Sequence, residues 1–180
     1  ALLRVPLGIA LMSVSLAGLA YITSTTTALT LFPMTVSEAV LSYDLAIVPM
    51  FILMGNIISR TGIAQDLFRA ANAYLGSTRG GLSLATMVTC AGFGAVCGSS
   101  YATAATMAKV AYPSMRRYGY SDGLASATIA AGGTLGILIP PSILLILYSA
   151  TASVSVVKMY AAALIPGFLL AGLYVVYVII

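Results

Sequence analysis

The sequence predicts an all-α membrane protein, a polytopic helical bundle with a re-entrant helical hairpin and a discontinuous transmembrane helix. Its 180 residues are 61% hydrophobic and only 7% charged, with a mean hydropathy of +1.07. A soluble domain carries about 25% charged residues, so this chain lacks the side chains for a water-exposed surface. Because histidine is absent, Ser-His and Cys-His catalysis and His-rich metal sites are excluded. No basic segment interleaved with aromatic residues indicates nucleic-acid binding.

Residues 1–60 are predicted to form transmembrane helices of a scaffold type. The uncharged segment 6–22 is long enough for one span. Residues 35–38 (Thr-Val-Ser-Glu) have the order of a capping box, which predicts the start of a short helix. A second span is expected over residues 44–59.

Residues 61–78 are predicted to form an amphipathic helix at the membrane interface. Between Gly62 and Gly76 the apolar residues recur at helical spacing, while polar residues such as Asp66 and Arg69 occupy the other face. The alternative is a helix packed under a loop.

Residues 79–155 are predicted to be a transport-type segment, which starts with a re-entrant hairpin at 80–117. Between Arg79 and Arg116 lie 36 residues with one charge, Lys109. Two complete spans with a water-exposed loop need about 40 apolar residues and a polar turn, which is more than this segment has. The expected first arm, tip and second arm are residues 80–97, 98–100 and 101–115.

The distribution of charge predicts the orientation. Glu38, Asp44 and Lys158 lie on one face of the predicted topology, and six arginines lie on the other. By the positive-inside bias, the arginine face and the mouth of the hairpin are cytoplasmic. Two complete spans in place of the hairpin would give the same parity. The six arginines are Arg4, Arg60, Arg69, Arg79, Arg116 and Arg117.

Residues 121–152 are predicted to form one helix that is broken at membrane depth, and residues 156–180 a final span. No charged residue (Asp, Glu, Lys or Arg) occurs from Gly123 to Val157. As one helix this segment would measure roughly 50 Å, against a hydrocarbon core of about 30 Å. The first half is expected to end near residues 131–134, where glycines permit a break, and the Pro-Pro pair at 140–141 suits the start of the second half. The alternative is an ordinary proline kink.

Both interruptions are candidate binding sites, because free backbone groups at membrane depth need protein or water beside them. At the tip, carbonyls that end the first arm present negative dipole ends, and amides that begin the second arm present positive ends. Hydroxyls of Ser99, Ser100 and Thr103 add neutral oxygens. The carbonyl end suits Na⁺, and the amide end suits a carboxylate. The alternative is that Gly94, Gly98 and the serines serve close helix packing.

An intramembrane hydrolase that uses Ser99 or Ser100 is another hypothesis. It needs a base, but histidine is absent, and Lys109 lies about two and a half turns from the tip on an ideal helix. The chain is therefore predicted not to be an enzyme.

Several motifs occur in the order found in one transporter family. The longest are IVPMFILMGNII (47–58), GAVCGSS (94–100) and AAGGTLGILIPPSI (130–143), with shorter ones at 62–64, 80–82, 113–115 and 119–120. On these motifs the chain, from about Arg4 to its end, resembles the large membrane subunit of tripartite ATP-independent periplasmic (TRAP) transporters.

The resemblance implies sodium-coupled secondary transport of small organic acids, such as dicarboxylates or sugar acids, across the cytoplasmic (inner) membrane of a bacterium or archaeon. The implied partners are a periplasmic solute-binding protein, a small membrane subunit and the lipid bilayer. Na⁺ is the implied coupling ion, and no other cofactor is implied. The implied fold is of the elevator type, with two inverted halves that each hold a hairpin and a broken helix.

By the same resemblance, one sodium ion lies between the hairpin tip and the interrupted helix, and the organic anion lies beside it. The implied sodium ligands are Gly98, Ser99, Ser100, Thr103, Gly132, Gly133, Thr134 and Gly136. The implied substrate-binding residues are Ser100, Tyr101, Pro140, Pro141 and Ser142.

This chain shows the hairpin and broken helix once, whereas family members are more than twice as long. It is therefore expected to correspond to the N-terminal half of such a subunit, one of two inverted repeats. The alternatives are another sodium-coupled carboxylate carrier of related architecture, or a structural membrane fragment that does not transport.

Overall fold

The computed structural model describes residues 5–179, and in this range it contains α-helices and no strand, which confirms the predicted all-α fold. Arg4 and Ile180, which the sequence predictions include, lie outside the described residues, and so does the side chain of Asp44. The helices are α1 (Leu7–Ile22), α2 (Thr25–Leu41), α3 (Tyr43–Arg60), α4 (Ile63–Leu75), α5 (Gly81–Cys97), α6 (Ser100–Arg117), α7 (Asp122–Leu138), α8 (Ile143–Ala152) and α9 (Val156–Ile179).

The chain divides into two compact units, Ala1–Ala46 and Ile47–Ile180. In the first unit, α1 and α2 pack against each other. α2 begins at Thr25 because the hydroxyl of Ser24 accepts a hydrogen bond from the Thr27 amide at 3.2 Å. The prediction that a capping box at Thr35 starts a helix is therefore wrong. Thr35 lies inside α2, where its Oγ1 donates to the Leu31 carbonyl at 3.0 Å.

The helices have the composition of a polytopic membrane protein, as predicted. Within the described residues, α9 is by length and composition the one helix that could cross a membrane alone. Up to three spans result if each of two bent helix pairs counts as one, and α7 with α8, bent by 42°, is such a pair. α5 is also apolar but shorter.

The core of the second unit lies where α4, α5, α6 and α7 meet. α5 and α6 form an antiparallel hairpin, since Thr86 Oγ1 near the start of α5 lies 3.8 Å from Met115 Sδ near the end of α6. Its re-entry into a membrane stays a prediction. One buried cluster joins the four helices: Phe68, Leu82, Ala85, Cys90, Met107, Ala111, Met115, Ala125 and Ile129.

α7 lies parallel to α5 along a seam of very close contacts. A Cβ on Gly132 would lie 2.8 Å from Cys90 Sγ, and a Cβ on Gly94 would lie 2.6 Å from the Gly136 Cα. Both contacts occur in the same order along the two helices, which gives the parallel direction. Because only a residue without a Cβ fits at these distances, the glycines let the two helices approach closely.

α4 packs part of its apolar face on the hairpin. Ala64 and Phe68 are buried there, whereas Asp66 and Arg69 on the other face are 77% and 78% exposed and lie 3.6 Å apart. Tyr74, near the C-terminus, is 84% exposed. The hairpin therefore covers part of the face predicted to enter the membrane interface, and the interfacial position of α4 stays a prediction.

α9 lies antiparallel to α7. Tyr174 Oη on α9 is 3.3 Å from Thr134 Oγ1, and a Cβ on Gly167 would lie 3.1 Å from the Leu138 carbonyl oxygen at the end of α7. α9 also packs against α8. It therefore spans the interruption between α7 and α8.

Candidate functional site

The hairpin tip is a two-residue interruption between α5 and α6. α5 ends at Cys97, and Gly98 adopts the left-handed conformation with φ 61°. Its amide donates to the Gly94 carbonyl at 2.7 Å, which completes the C-terminal cap of α5. Ser99 caps α6, since its Oγ accepts from the Ala102 amide at 3.4 Å. The tip is thus closed by short-range bonds.

The first turn of α6 carries a buried hydroxyl, on Thr103, and an exposed one, on Tyr101. Thr103 is fully buried, and its Oγ1 donates to the Ser99 carbonyl oxygen at 2.8 Å. The same oxygen accepts the Thr103 amide at 3.1 Å. Ser100 is half-buried, and Tyr101 is 87% exposed. Of these predicted site residues, Tyr101 is the one open to its surroundings.

The second interruption comprises residues 139–142 and separates α7 from α8. α7 continues through Gly132, Gly133 and Thr134 as far as Leu138. The prediction that its first half ends near residues 131–134 is therefore wrong.

The glycines of α7 serve contact with the hairpin rather than unwinding. A Cβ on Gly133 would lie 2.9 Å from the Ala104 Cβ, and a Cβ on Gly136 would lie 2.9 Å from Thr103 Oγ1. Inside a helix, the carbonyls of Gly132 and Gly133 bond to amides four residues on. Each of these carbonyl oxygens therefore already has one hydrogen-bond partner, and the assignment of Gly132 and Gly133 as sodium ligands stays a prediction.

The hairpin tip and the second interruption touch directly. The amide of Ile143, the first residue of α8, donates to the Gly98 carbonyl oxygen at 3.3 Å. A Cβ on Gly98 would lie 2.9 Å from the Pro141 carbonyl oxygen and 3.4 Å from the Ser142 Cα. The tip therefore supplies a partner for one of the amides that a helix N-terminus leaves without one.

The structure brings together part of the predicted set and separates one member from it. Ser99 and Thr103 meet the broken helix at Gly136, where a Cβ would lie 3.2 Å from the Ser99 carbonyl oxygen. Gly98 meets it at residues 141–143. Thr134 is exposed instead, and its Oγ1 donates to its own helix and faces α9. Thr134 therefore does not lie at the tip, and its role as a sodium ligand stays a prediction.

The tip presents neutral oxygens of the kind that suits Na⁺. Ala95, Val96 and Cys97 lie in the last turn of α5, where carbonyls lack intrahelical partners. The Cys97 carbonyl oxygen lies 3.3 Å from the Cβ position of Gly55 on α3. Carbonyl oxygens at the negative end of a helix are suited to a cation, and sodium binding at the tip stays a prediction.

An apolar groove of about 470 Å³ lies beside the second interruption. It contains none of the tip residues, and its lining is mostly apolar, with hydroxyls on Tyr148 and Thr151 alone. The groove is thus distinct from the candidate site. Its lining residues are Ile137, Leu138, Leu144, Leu145, Leu147, Tyr148 and Thr151.

The sequence analysis did not identify Gly55, the Ile143 amide or Tyr160 as parts of this region. Tyr160 lies one heptad before Gly167 on α9, and that spacing places both on one face. This spacing is the sequence feature from which Tyr160 could have been identified. For Gly55 the feature is weaker, since it is a single small residue within an apolar helix.

Comparison with known proteins gives the relatives of this chain. The sequence model of the tripartite ATP-independent periplasmic transporter, DctM component, matches residues 1–180. The C4-dicarboxylate TRAP transporter large permease protein DctM of Vibrio cholerae is 43% identical over 134 residues, which are 74% of this chain and 29% of that protein.

Two further relatives carry other substrates in their names. The isethionate TRAP transporter permease protein DctMQ of Oleidesulfovibrio alaskensis is 36% identical over 73% of this chain and 21% of its own length. The ectoine/5-hydroxyectoine TRAP transporter large permease protein UehC of Ruegeria pomeroyi is 37% identical over 74% of this chain and 31% of its own length.

The chain spans well under half the length of these relatives. All three are named as permeases, which are transport proteins and not enzymes. The family match covers every residue of the chain, and the apolar helices agree with it. The chain therefore belongs to the large permease (DctM) subunit family of TRAP transporters.

Proposed function

We propose that this chain supplies one ion- and substrate-binding half of a sodium-coupled secondary transporter for small organic acids. The complete transporter would lie in the cytoplasmic membrane of a bacterium or archaeon. It would act with a small membrane subunit and receive its substrate from a periplasmic solute-binding protein. The names of the relatives, which include C4-dicarboxylate and isethionate, support an organic acid as the substrate.

The observation that carries this proposal is the direct contact between the hairpin tip and the start of α8, the 3.3 Å bond from the Ile143 amide to the Gly98 carbonyl. The bond brings the carbonyl end of α5 next to the amide end of α8. These ends carry opposite partial charges. A cation at the first and a carboxylate at the second would therefore bind within one small region.

This arrangement gives a physical reason for coupling. A cation that binds the last carbonyls of α5 fixes the tip, and the tip fixes the first turn of α8 through Gly98. A carboxylate at that first turn then meets amides that are already oriented, so each ligand raises the affinity for the other. Ser100 and Tyr101 at the start of α6 and Pro140 and Pro141 before α8 are the proposed substrate contacts, whereas the predicted contact at Ser142 is fully buried.

The test uses the complete transporter that contains this segment, reconstituted with its small subunit in proteoliposomes. With the solute-binding protein outside, uptake of a labelled C4-dicarboxylate is measured under an inward Na⁺ gradient and under an equal K⁺ gradient. We expect uptake with Na⁺ and none above leakage with K⁺. Equal uptake under both gradients contradicts sodium coupling.

The same assay separates this proposal from a structural fragment that does not transport. A fragment of that kind predicts that Ser99→Ala and Thr103→Val leave the sodium dependence of the complete transporter unchanged. The proposal predicts that the half-saturating Na⁺ concentration rises in both variants.

A further inference from the structure

Two buried hydroxyls beside the second interruption have no hydrogen-bond partner among the described residues: Ser142 Oγ and Tyr160 Oη. Ser142 is fully buried. It precedes α8 in the N-cap position, yet its side chain caps no amide, although serine at this position normally does so. A buried polar group without a partner is rare and costly, so each of these two oxygens calls for a ligand.

The two residues lie on neighbouring elements, since Ser142 precedes α8 and Tyr160 lies on α9, which packs against α8. Tyr160 projects from the first turns of α9, and its hydroxyl approaches the backbone of Ser142. The register of α9 explains this approach. Tyr174 meets Thr134 on α7, and Gly167 meets Leu138. Tyr160, further along the same face, thus reaches the start of α8.

We propose that Ser142 Oγ and Tyr160 Oη together bind one buried water molecule, and that Tyr160 is a positioning residue for the start of α8. A buried water needs two to four polar partners, typically about three. The two hydroxyls and the Ser142 backbone supply such a set. A desolvated Na⁺ would need more oxygens than this pair offers, and a carboxylate has no access to a fully buried Ser142.

The position of this water explains how α9 acts on the site. Ser142 is followed directly by Ile143, whose amide donates to Gly98 at the hairpin tip. A water that joins Ser142 to Tyr160 fixes the backbone one residue before that bond. α9 therefore holds the amide end of the site in the orientation that the substrate meets.

The functional test rests on the proposed function and compares hydroxyl deletions in the complete reconstituted transporter. Tyr160→Phe and Ser142→Ala each remove one partner of the water and keep the remaining packing. We expect each to raise the KM for substrate about fivefold at saturating Na⁺ with little change in the maximal rate, as the loss of one hydrogen bond implies. The double variant should show no more than the larger single effect, because both hydroxyls hold the same molecule.

A matched control removes a different tyrosine hydroxyl from the same face of α9. Tyr174→Phe deletes the hydroxyl that lies 3.3 Å from Thr134 Oγ1 and should leave the KM near that of the wild type. Additive effects of Tyr160→Phe and Ser142→Ala, or an unchanged KM in both, overturn the proposal.

A second measurement does not depend on transport. A structure of the complete transporter at a resolution that shows ordered water should have density between Ser142 Oγ and Tyr160 Oη in the wild type and none in Tyr160→Phe. A wild-type structure without that density overturns the water site. Loss of sodium-dependent uptake in the wild type would instead contradict the proposed function alone.

Discussion

The two interruptions of the second unit satisfy their backbone groups in different ways. The hairpin tip spans two residues, and both bonds that close it are local, from Gly98 to Gly94 and from Ala102 to Ser99. The second interruption spans four residues and has a long-range bond to the tip at its end. The tip can therefore keep its shape alone, whereas the start of α8 depends on the tip.

Glycine also has a different purpose in each region. At the tip, Gly98 supplies a positive φ that other residues adopt at a cost of about 1–2 kcal/mol. In α7, Gly132 and Gly136 have helical backbones, and because they lack a Cβ, α5 can come close. The comparison shows that a glycine-rich segment at membrane depth can mark a tight contact as well as a break.

The largest expected effect comes from introducing a Cβ into the close contact between α5 and α7. In Gly94→Ala the new Cβ meets the Gly136 backbone at 2.6 Å, and neither helix has a flexible side chain there to give way. We expect a loss of about 3 kcal/mol of stability and no uptake by the complete transporter, measured by thermal unfolding and proteoliposome assay. Gly92→Ala on the same helix has nothing within 4 Å and should behave as the wild type. Equal stability and uptake in the two variants would contradict the close approach of α5 and α7 at Gly94.

The next effect separates backbone conformation from contact at the tip. Gly98→Ala and Gly119→Ala both place alanine at positive φ, at 61° and 84°. Gly98 also faces the Pro141 carbonyl at 2.9 Å, whereas Gly119 has nothing within 4 Å. We expect the two variants to share a cost of about 1–2 kcal/mol, and Gly98→Ala alone to raise the half-saturating Na⁺ concentration about tenfold or more. A similar sodium response in Gly119→Ala would show that the contact between tip and break is not the cause.

A smaller effect distinguishes two threonines that the sequence predicted as sodium ligands. Thr103→Val removes a buried hydroxyl that donates to the Ser99 carbonyl, so we expect the half-saturating Na⁺ concentration to rise about fivefold. Thr134→Val removes an exposed hydroxyl near Tyr174 and should change it little. Sodium titrations of uptake check this. A larger rise in Thr134→Val than in Thr103→Val would support Thr134 as a sodium ligand.

The smallest effect concerns two serine caps. Ser99 and Ser121 accept amides at 3.4 Å and 3.2 Å at the starts of α6 and α7. Each substitution by alanine should lower stability by about 1 kcal/mol or less. We expect only Ser99→Ala to shift the sodium dependence of uptake, because only Ser99 lies at the tip. A matching shift in Ser121→Ala would mean that lost helix capping explains both.

The features that depend on composition or on neighbours in the chain could be predicted from the sequence. The all-α fold and the family are confirmed, the first from the scarcity of charge and the second from ordered motifs. The tip is encoded locally, since glycine at 98 permits the C-cap and serine at 99 supplies the N-cap.

The features that depend on distant partners could not be predicted in the same way. The break was placed at the α7 glycines because the same residue type serves unwinding and close packing, and only the position of α5 distinguishes them. The start of α2 was missed because Ser24, and not Thr35, caps this helix, and Thr35 lies inside it. Tyr160 meets Ser142 through the register of α9. The heptad spacing places Tyr160 on the same face as Gly167, but it does not show that this face meets the start of α8.

The tightness of the α5–α7 seam also restricts the path by which a solute reaches the tip. At Gly94 and Gly132 even an added Cβ would lie under 3 Å from an atom of the facing helix, so the seam leaves no width for a hydrated ion on that flank. If the tip binds solutes as proposed, we expect them to enter from the flank on which Tyr101 is 87% exposed. On that proposal, a bulky reagent attached near Tyr101 should block the access of both the ion and the organic acid to the tip.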